Sequence, residues 1–345
     1  MNGIQFALGR VLERQDLSTA EMEAAMREIM TGYATPAQIG AFLAALRMKG
    51  ESVEEVAAAA TVMRSLAAPV ALGDRPAIDI VGTGGDASHT FNISTCSAIV
   101  AAAADVRVAK HGNRAASSKS GAADLLEAAG VNIDLTPLQV GACIDHLGIG
   151  FMFAQRHHAA MKHAIGPRRE MGTRTLFNLL GPLTNPAGAT AQVLGVFDQA
   201  WVRPLAEVLS RLGSRHVLVV HGADGMDEIS ISGPTQVAEL SAGKVTEYRI
   251  APGDFGFDEA PLATIQVGNP AESLAMVKSV LADHPGPARD IVLLNAGAAI
   301  YVSGQVSTLG KGVERAMTAI ASGAAESKLE ALVSFTRGLA GAEGE

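Results

Sequence analysis

The sequence predicts an α/β protein, in which a small all-helical N-terminal domain precedes a larger α/β domain whose mostly parallel central sheet is flanked by helices. Three observations carry this reading. Residues 1–67 hold helix-start signals and no strand pattern, whereas from residue 68 onward short β-like runs alternate with longer helical ones. Polar, glycine-bearing segments then follow two of those runs, at the strand ends where open parallel sheets bind their ligands.

Within the first 67 residues, Ser18 with Glu21 and Ser52 with Glu55 make capping-box signals, and Thr35-Pro36 reads as a cap followed by a first-turn proline. Met22, Met26 and Met30 recur every fourth residue, and Ala41, Phe42, Ala45 and Leu46 give the next helix an apolar face suited to core or dimer packing. The Pro- and Gly-containing stretch 68–76 ends this pattern. Residues 78–81 read as a buried strand, 97–104 as a helix, and the glycine loop starting at Gly82 as their connection. Further strands are expected at 107–109, 148–153, 193–197 and 216–221, with a helix at 122–129. A hairpin about Ala242-Gly243 and three helical stretches after Asn269-Pro270 complete the chain, whose last part, 237–345, looks structural and should fray from Gly341.

The 345 residues suffice for one large domain or two unequal ones, the second being preferred. Acidic residues outnumber basic ones by 35 to 27, a net charge of −8, which argues against a general nucleic-acid or membrane-surface binder. Two cysteines, Cys96 and Cys143, are too few for a disulfide scaffold or a zinc site, and a buried, inert thiol is the expectation for Cys96. The N-terminal stretch shows no signal-peptide pattern and no apolar run is long enough to span a bilayer, so a cytoplasmic protein is expected.

Chemistry concentrates in four places. Gly82-Thr83-Gly84-Gly85-Asp86 leads through Asn92, Ser94 and Thr95 into a helix, so a side-chain-free backbone and a helix start together suit phosphate. The loop fits neither the Walker nor the dinucleotide spacing, and a tight turn with Asn92 or Ser94 as a helix cap is the alternative. Asp86 would repel phosphate and requires a metal, a hydroxyl or a cation beside it. A second cluster, Lys110 to Gly121, gathers three cations and three serines beyond a strand, and a third, 156–185, holds His157, His158, His163, Arg168, Arg169 and Arg174. Arginine there suits a carboxylate through its planar fork, and the histidines suit hydrogen bonding more than metal ligation. Asp227 and Glu228, just past a strand end, suit a hard cation such as Mg²⁺, or form an exposed acidic turn.

Taken together, G-T-G-G-D at 82–86, N-I-S-T at 92–95, K-H-G-N-R-A-A-S-S-K-S-G at 110–121, R-R-E-M-G-T-R-T-L-F-N-L-L-G-P-L-T-N-P at 168–186 and H-G-A-D-G-M-D-E at 221–228 closely resemble the anthranilate phosphoribosyltransferases of tryptophan biosynthesis. The resemblance implies a helical domain of 1–67, completed by about 165–185 and dimerising with its copy, and an α/β domain of 68–345 that binds phosphoribosyl diphosphate. It implies a magnesium-dependent pentosyltransferase for the second step from chorismate to tryptophan, with two Mg²⁺ ions per subunit. No residue is implied as an acid or base, since the nucleophile is the amine of anthranilate.

Residue by residue, it places phosphoribosyl diphosphate on Gly82, Gly85, Asp86, Thr90, Asn92, Ile93, Ser94 and Thr95, and on Lys110, His111, Gly112, Asn113, Arg114, Ala115, Ala116, Ser117, Ser118 and Ala122. Anthranilate falls to Gly82, Asn113 and Arg168, with His111 and His158 lining its seat, and magnesium to Ser94, Asp227 and Glu228. The chain departs from many relatives at Gln155 and Ala159, where they carry proline, and at Ala122, where they carry serine. A pyrimidine nucleoside phosphorylase shares the fold and a Lys-His-Gly loop, but Asn113, the Asp227-Glu228 pair and 168–186 favour the transferase. A nucleic-acid-binding paralogue would need a basic cleft and would have lost the acidic pair.

Overall fold

A computed structural model describes residues 3–73, 75–115 and 119–341. The chain opens with four helices, α1 (Gly3–Leu12), α2 (Thr19–Thr31), α3 (Pro36–Lys49) and α4 (Val53–Leu66). Ser18, Thr35 and Ser52 each close a full capping box, the middle one with Gln38, so backbone groups at these three helix starts are satisfied locally.

The α/β part alternates as β1 (Ile78–Gly82), α5 (Ile93–Ala103), β2 (Val108–Gly112), α6 (Ala122–Ala129), α7 (Pro137–Leu147) and β3 (Ile149–Phe153). Three helices, α8 (Ala154–His157), α9 (Lys162–Met171) and α10 (Phe177–Leu180), come next, and α9 packs on α3 and α2. The chain then makes β4 (Ala191–Gly195), α11 (Val202–Arg211) and β5 (His216–Gly222), followed by the hairpin β6 (Thr235–Ser241) and β7 (Lys244–Ile250). Helices α12 (Pro270–Leu281), α13 (Pro287–Val302), α14 (Leu309–Ala321) and α15 (Ala324–Gly341) end it.

Among the described residues one seven-stranded sheet runs in the order β3-β2-β1-β4-β5-β6-β7, parallel up to β5 and antiparallel beyond. Because neighbouring strand residues point to opposite faces, Leu218 and Val220 of β5 enter the core under α5 and α13, whereas Val217 and Val219 face α11. That second core is continuous with the interior of α1 to α4, so the helical bundle and the back of the sheet share one apolar interior.

Several boundaries differ from the expected ones for identifiable reasons. Helix α5 begins at Ile93, not at 97, which puts Ser94 and Thr95 in its first turn. Strand β2 continues through Lys110 and His111, whose polarity suggested a loop; both are buried and bonded to β1. Strand β4 lies two residues earlier than expected, and the C-terminal part holds four helices because the stretch beyond Asn269 breaks once more at Gly323, which has φ +76°. Cys96 and Cys143 are buried, and burial pushes their thiols up, Cys143 to about 11. Residues 342–345, where fraying was expected, lie outside the described residues.

Candidate functional site

The carboxyl ends of β1, β2 and β5 open onto a cavity of about 740 Å³, closed on its other side by α8, α9 and α10. Its wall brings together the glycine loop Gly82 to Asp86, Thr90, Asn92, Ile93, Ser94, Lys110 to Ala115, Ala122, His158, Arg168, Asp227 and Glu228. Thr95 stays one residue behind the wall, only 1 % exposed. Ala116, Ser117 and Ser118 lie outside the described residues. Gln155 and Ala159 border the cavity as well.

Asn92 occupies the N-cap position of α5 but makes no side-chain cap bond. Its Oδ1 instead accepts the hydroxyls of Ser120 and Ser273, each at 2.7 Å, and its Nδ2 donates to the Ser120 carbonyl at 3.0 Å. The helix-cap alternative for Asn92 is thereby replaced by a cross-link between the glycine loop, the second polar cluster and α12. Ser273 belongs to the region read as purely structural, and no local signal marks it.

Asp227 and Glu228 fill the N–H positions of the glycine loop and helix start with their own carboxylates. Gly84 donates its N–H to Asp227 Oδ2 at 2.6 Å, and Ser94 donates its N–H to Glu228 Oε1 at 3.1 Å. A Cβ on Gly82 or Gly195 would overlap Asp227, so the acidic pair is seated where two strands offer only glycine. Gly195 was not anticipated. Asp86 accepts the Ser88 N–H, stands beside Asp227 and forms no ion pair among the described residues. Burial and then the Asp86 charge push Asp227 up to about 7, and burial and then Asp227 push Glu228 well above the usual carboxylate range.

Such a crowd of carboxylates on a cavity wall fits a cation. Among the described residues no group of three or more His, Cys, Asp or Glu side chains forms a closed metal cage. Two carboxylates and the Ser94 hydroxyl are nevertheless the hard oxygen donors that suit Mg²⁺, which keeps most of its shell for water and phosphate.

Asp79, a carboxylate in the middle of buried β1, accepts the His111 N–H and offsets the burial of the Lys110 charge. Lys110 Nζ donates to the Ile80 carbonyl at 2.7 Å and Ser94 Oγ at 3.3 Å, while the His111 N–H donates to Asp79 Oδ1 at 3.1 Å. Asn185 Nδ2 donates to Asp79 Oδ2 at 2.7 Å and to the Ala109 carbonyl at 2.8 Å. Burial pushes Asp79 up to about 6 against the pull of Lys110, and burial lowers Lys110 against the pull of Asp79. Sequence reasoning missed Asp79; a charged residue between two isoleucines is the signal that could have found it.

Arg114, expected on phosphoribosyl diphosphate, sends its guanidinium to Glu127 and Asp124 of α6, with Nη2 at 2.8 Å from Glu127 Oε1. The Asn113 main-chain carbonyl accepts the Ala123 N–H at 3.2 Å. Arg168, by contrast, lines the cavity 5.2 Å over the Phe177 ring and forms no ion pair among the described residues.

His111 and His158 face each other with ring centroids 5.1 Å apart. Burial and then the neighbouring histidines push His111 down to about 3, and burial and then His157 push His158 down to about 4. Both rings are neutral at pH 7, and their Nε2 atoms are buried without a partner among the described residues. Because the folded state binds these protons less readily than the unfolded chain, the stability they permit is complete above about pH 6.5 and falls as pH drops toward 4. His158→Gln is expected to recover on the order of 2 kcal/mol of stability at pH 5 relative to pH 7, read from denaturant midpoints. An unchanged pH slope would contradict the neutral, buried ring.

Residues 74–326 match the glycosyl transferase family a/b domain and residues 6–67 its helical bundle domain. Anthranilate phosphoribosyltransferase from Thioalkalivibrio sulfidiphilus is 63% identical over 333 residues, covering 96% of this chain and 98% of that protein. The crystal structure of anthranilate phosphoribosyltransferase from Thermus thermophilus superposes with a TM-score of 0.91 at 46% identity, covering 96% of this chain and 99% of that one. The Saccharomyces cerevisiae enzyme in complex with PRPP and Mg superposes with a TM-score of 0.89 at 27% identity, covering 97% and 98%.

Proposed function

The chain belongs to the anthranilate phosphoribosyltransferase family, and on that premise we propose that it transfers the 5-phosphoribosyl group of phosphoribosyl diphosphate to the amine of anthranilate, releasing diphosphate in the second step from chorismate to tryptophan. The observation that carries this is one cavity flanked by an N–H-rich glycine loop with the Asp227-Glu228 pair on one side and, on the other, two neutral imidazoles and a guanidinium that forms no ion pair among the described residues. The first half suits a metal-bound diphosphate, the second a small aromatic acid.

The donor set of Asp227, Glu228 and Ser94 is assigned to Mg²⁺, two ions per subunit. Bound there, Mg²⁺ supplies positive charge that neutralises the departing diphosphate. Gly84 and Ser94 carry the N–H groups that Asp227 and Glu228 occupy, so these donors turn to phosphate oxygens once the carboxylates let go of them. Lys110, fixed by β1, adds a cation beside Ser94. Preorganised N–H groups and this ammonium stabilise charge growing on the leaving oxygens. No side chain is assigned as acid or base: the amine of anthranilate attacks ribose C1, and its proton leaves to solvent after the bond forms. Arg168 grips the carboxylate and the cavity fixes the approach, which converts encounter into an oriented reaction.

The remaining assignments follow the same reading. Glycine-loop residues through Asn92 and Ile93, together with Lys110 to Ala115 and Ala122, hold phosphoribosyl diphosphate, and Ala116, Ser117, Ser118 and Thr95 complete that set. Gly82, Asn113, His111 and His158 line the anthranilate seat. The helical domain, 1–67 with about 165–185, pairs with its copy; Phe6, Leu12, Tyr33 and Met48 on that domain expose 44 to 82 % of their surface and support this. The enzyme is proposed to work in the cytoplasm; none of the described helices is long and apolar enough to cross a membrane.

Replacing Arg168 by alanine should raise the anthranilate KM about 30-fold, the loss of a charge-assisted pair, and leave the phosphoribosyl diphosphate KM near its original value. Equal rises in both would contradict the carboxylate contact. Chromatography of a reaction holding both substrates tests the function itself: phosphoribosylanthranilate and diphosphate are expected, and phosphorolysis of uridine or thymidine in their place would overturn it.

A further inference from the structure

The glycine loop has a backbone that its own sequence does not favour. Gly84 and Gly85 are left-handed, at φ +69° and +77°, but so are Ala87 at +59° and His89 at +55°, which carry a Cβ. Side-chain-bearing residues remain in that region only where their surroundings hold them.

Two side chains outside the cavity wall do the holding. At one end, Arg174 donates to the Gly85 carbonyl while its guanidinium lies 4.1 Å over the Phe197 ring. Arg174 is itself fixed, since Arg47 of α3 donates to its main-chain carbonyl at 2.7 Å and to the Thr173 hydroxyl. Phe197 returns to the loop through its N–H, which donates to Thr83 Oγ1 at 3.1 Å. At the other end, Gln266 Nε2 donates to the Ser88 carbonyl at 2.8 Å. There the Val267 N–H donates to the His89 carbonyl at 2.9 Å, and the Phe91 N–H donates to the Ile265 carbonyl at 3.0 Å.

We infer that Arg174 and Gln266 are positioning residues for phosphoribosyl diphosphate, holding the Gly85 and Ser88 carbonyls from opposite ends so that the loop keeps its left-handed, phosphate-accepting form. This rests on the assignment of the loop to that substrate. Neither residue lines the cavity, so each acts through the loop alone. Occupying the two carbonyls also keeps their negative ends engaged away from a phosphate they would repel.

The test is steady-state kinetics with both substrates varied, on Arg174→Met, Gln266→Ala, their combination and the loop variant Gly85→Val, with melting temperature followed in parallel. Each single change is expected to raise the phosphoribosyl diphosphate KM about fivefold, the loss of one hydrogen bond, with anthranilate KM within about twofold and melting unchanged. The double variant should approach the product of the two. Adding Ala87→Gly to Gln266→Ala should bring the KM back down, because glycine adopts φ +59° without steric cost. A merely structural role would move melting or both KM values together and would not respond to Ala87→Gly; that outcome overturns the inference. So does a phosphoribosyl diphosphate KM within about twofold of wild type in both singles while Gly85→Val raises it. If Gly85→Val also leaves it unchanged, the assignment of the loop fails first.

Discussion

Replacing both Asp227 and Glu228 by alanine is expected to lower kcat about 1,000-fold while the protein stays folded, because the electrostatic stabilisation of the leaving diphosphate goes with them. The structure makes the fold's survival a definite expectation. Asp227 is buried and Glu228 half-buried beside Asp86, and burial pushes Asp227 up to about 7, so they burden the folded state in the absence of a cation. Removing them leaves the Gly84 and Ser94 N–H groups facing a cavity that water can fill. The thermal midpoint should therefore hold or rise, and Mg²⁺ should no longer shift it. Near-normal turnover would remove the pair from the metal site.

Asp79→Ala should act in the opposite way, costing about 3 kcal/mol of stability by denaturant titration and weakening phosphoribosyl diphosphate binding with it. Asp79 is fully buried, and it is the acceptor for the His111 N–H and the Asn185 amide and the charge that most offsets the burial of Lys110. Without it, the His111 N–H and one Asn185 N–H lose their acceptor, and Lys110 loses the charge that most offsets its burial, in a place water does not reach. Asp79→Asn, which keeps one acceptor oxygen, should recover part of the loss. An unchanged denaturant midpoint for Asp79→Ala would show that Lys110 does not depend on this carboxylate.

The contrast between these two carboxylate sites explains what could be read from sequence. Short-range rules worked where the physics is local: the boxes at Ser18 and Ser52 and the proline after Thr35 set helix starts. The mostly parallel sheet followed from the alternation of runs. Long-range partners were not legible. Lys110 and His111 looked like loop residues, but the Lys110 ammonium donates to the Ile80 carbonyl and the His111 main-chain N–H to Asp79, some thirty positions earlier. The start of α5 was placed late although Asn92 was weighed as a cap; its side chain reaches Ser120 and Ser273 instead, distant partners that sequence does not show.

The candidate site shows the same division. The glycine loop and acidic pair were recognisable by residue type, and they do share one cavity. What sequence could not supply was direction. Arg114 lies in the basic cluster but pairs with Glu127, whereas Arg168 keeps its guanidinium on the cavity wall. Asp86 was expected to meet a metal, a hydroxyl or a cation, and it stands beside Asp227, at the place assigned to magnesium.

The proposed transfer depends on a metal and needs both substrates at once. The most direct measurement is the fluorescence of anthranilate mixed with the purified protein, phosphoribosyl diphosphate and Mg²⁺, followed with and without a chelator. A decay that requires both substrates and stops on chelation is the predicted result. A folded protein that leaves the fluorescence unchanged, or consumes anthranilate equally well under chelation, would contradict the account.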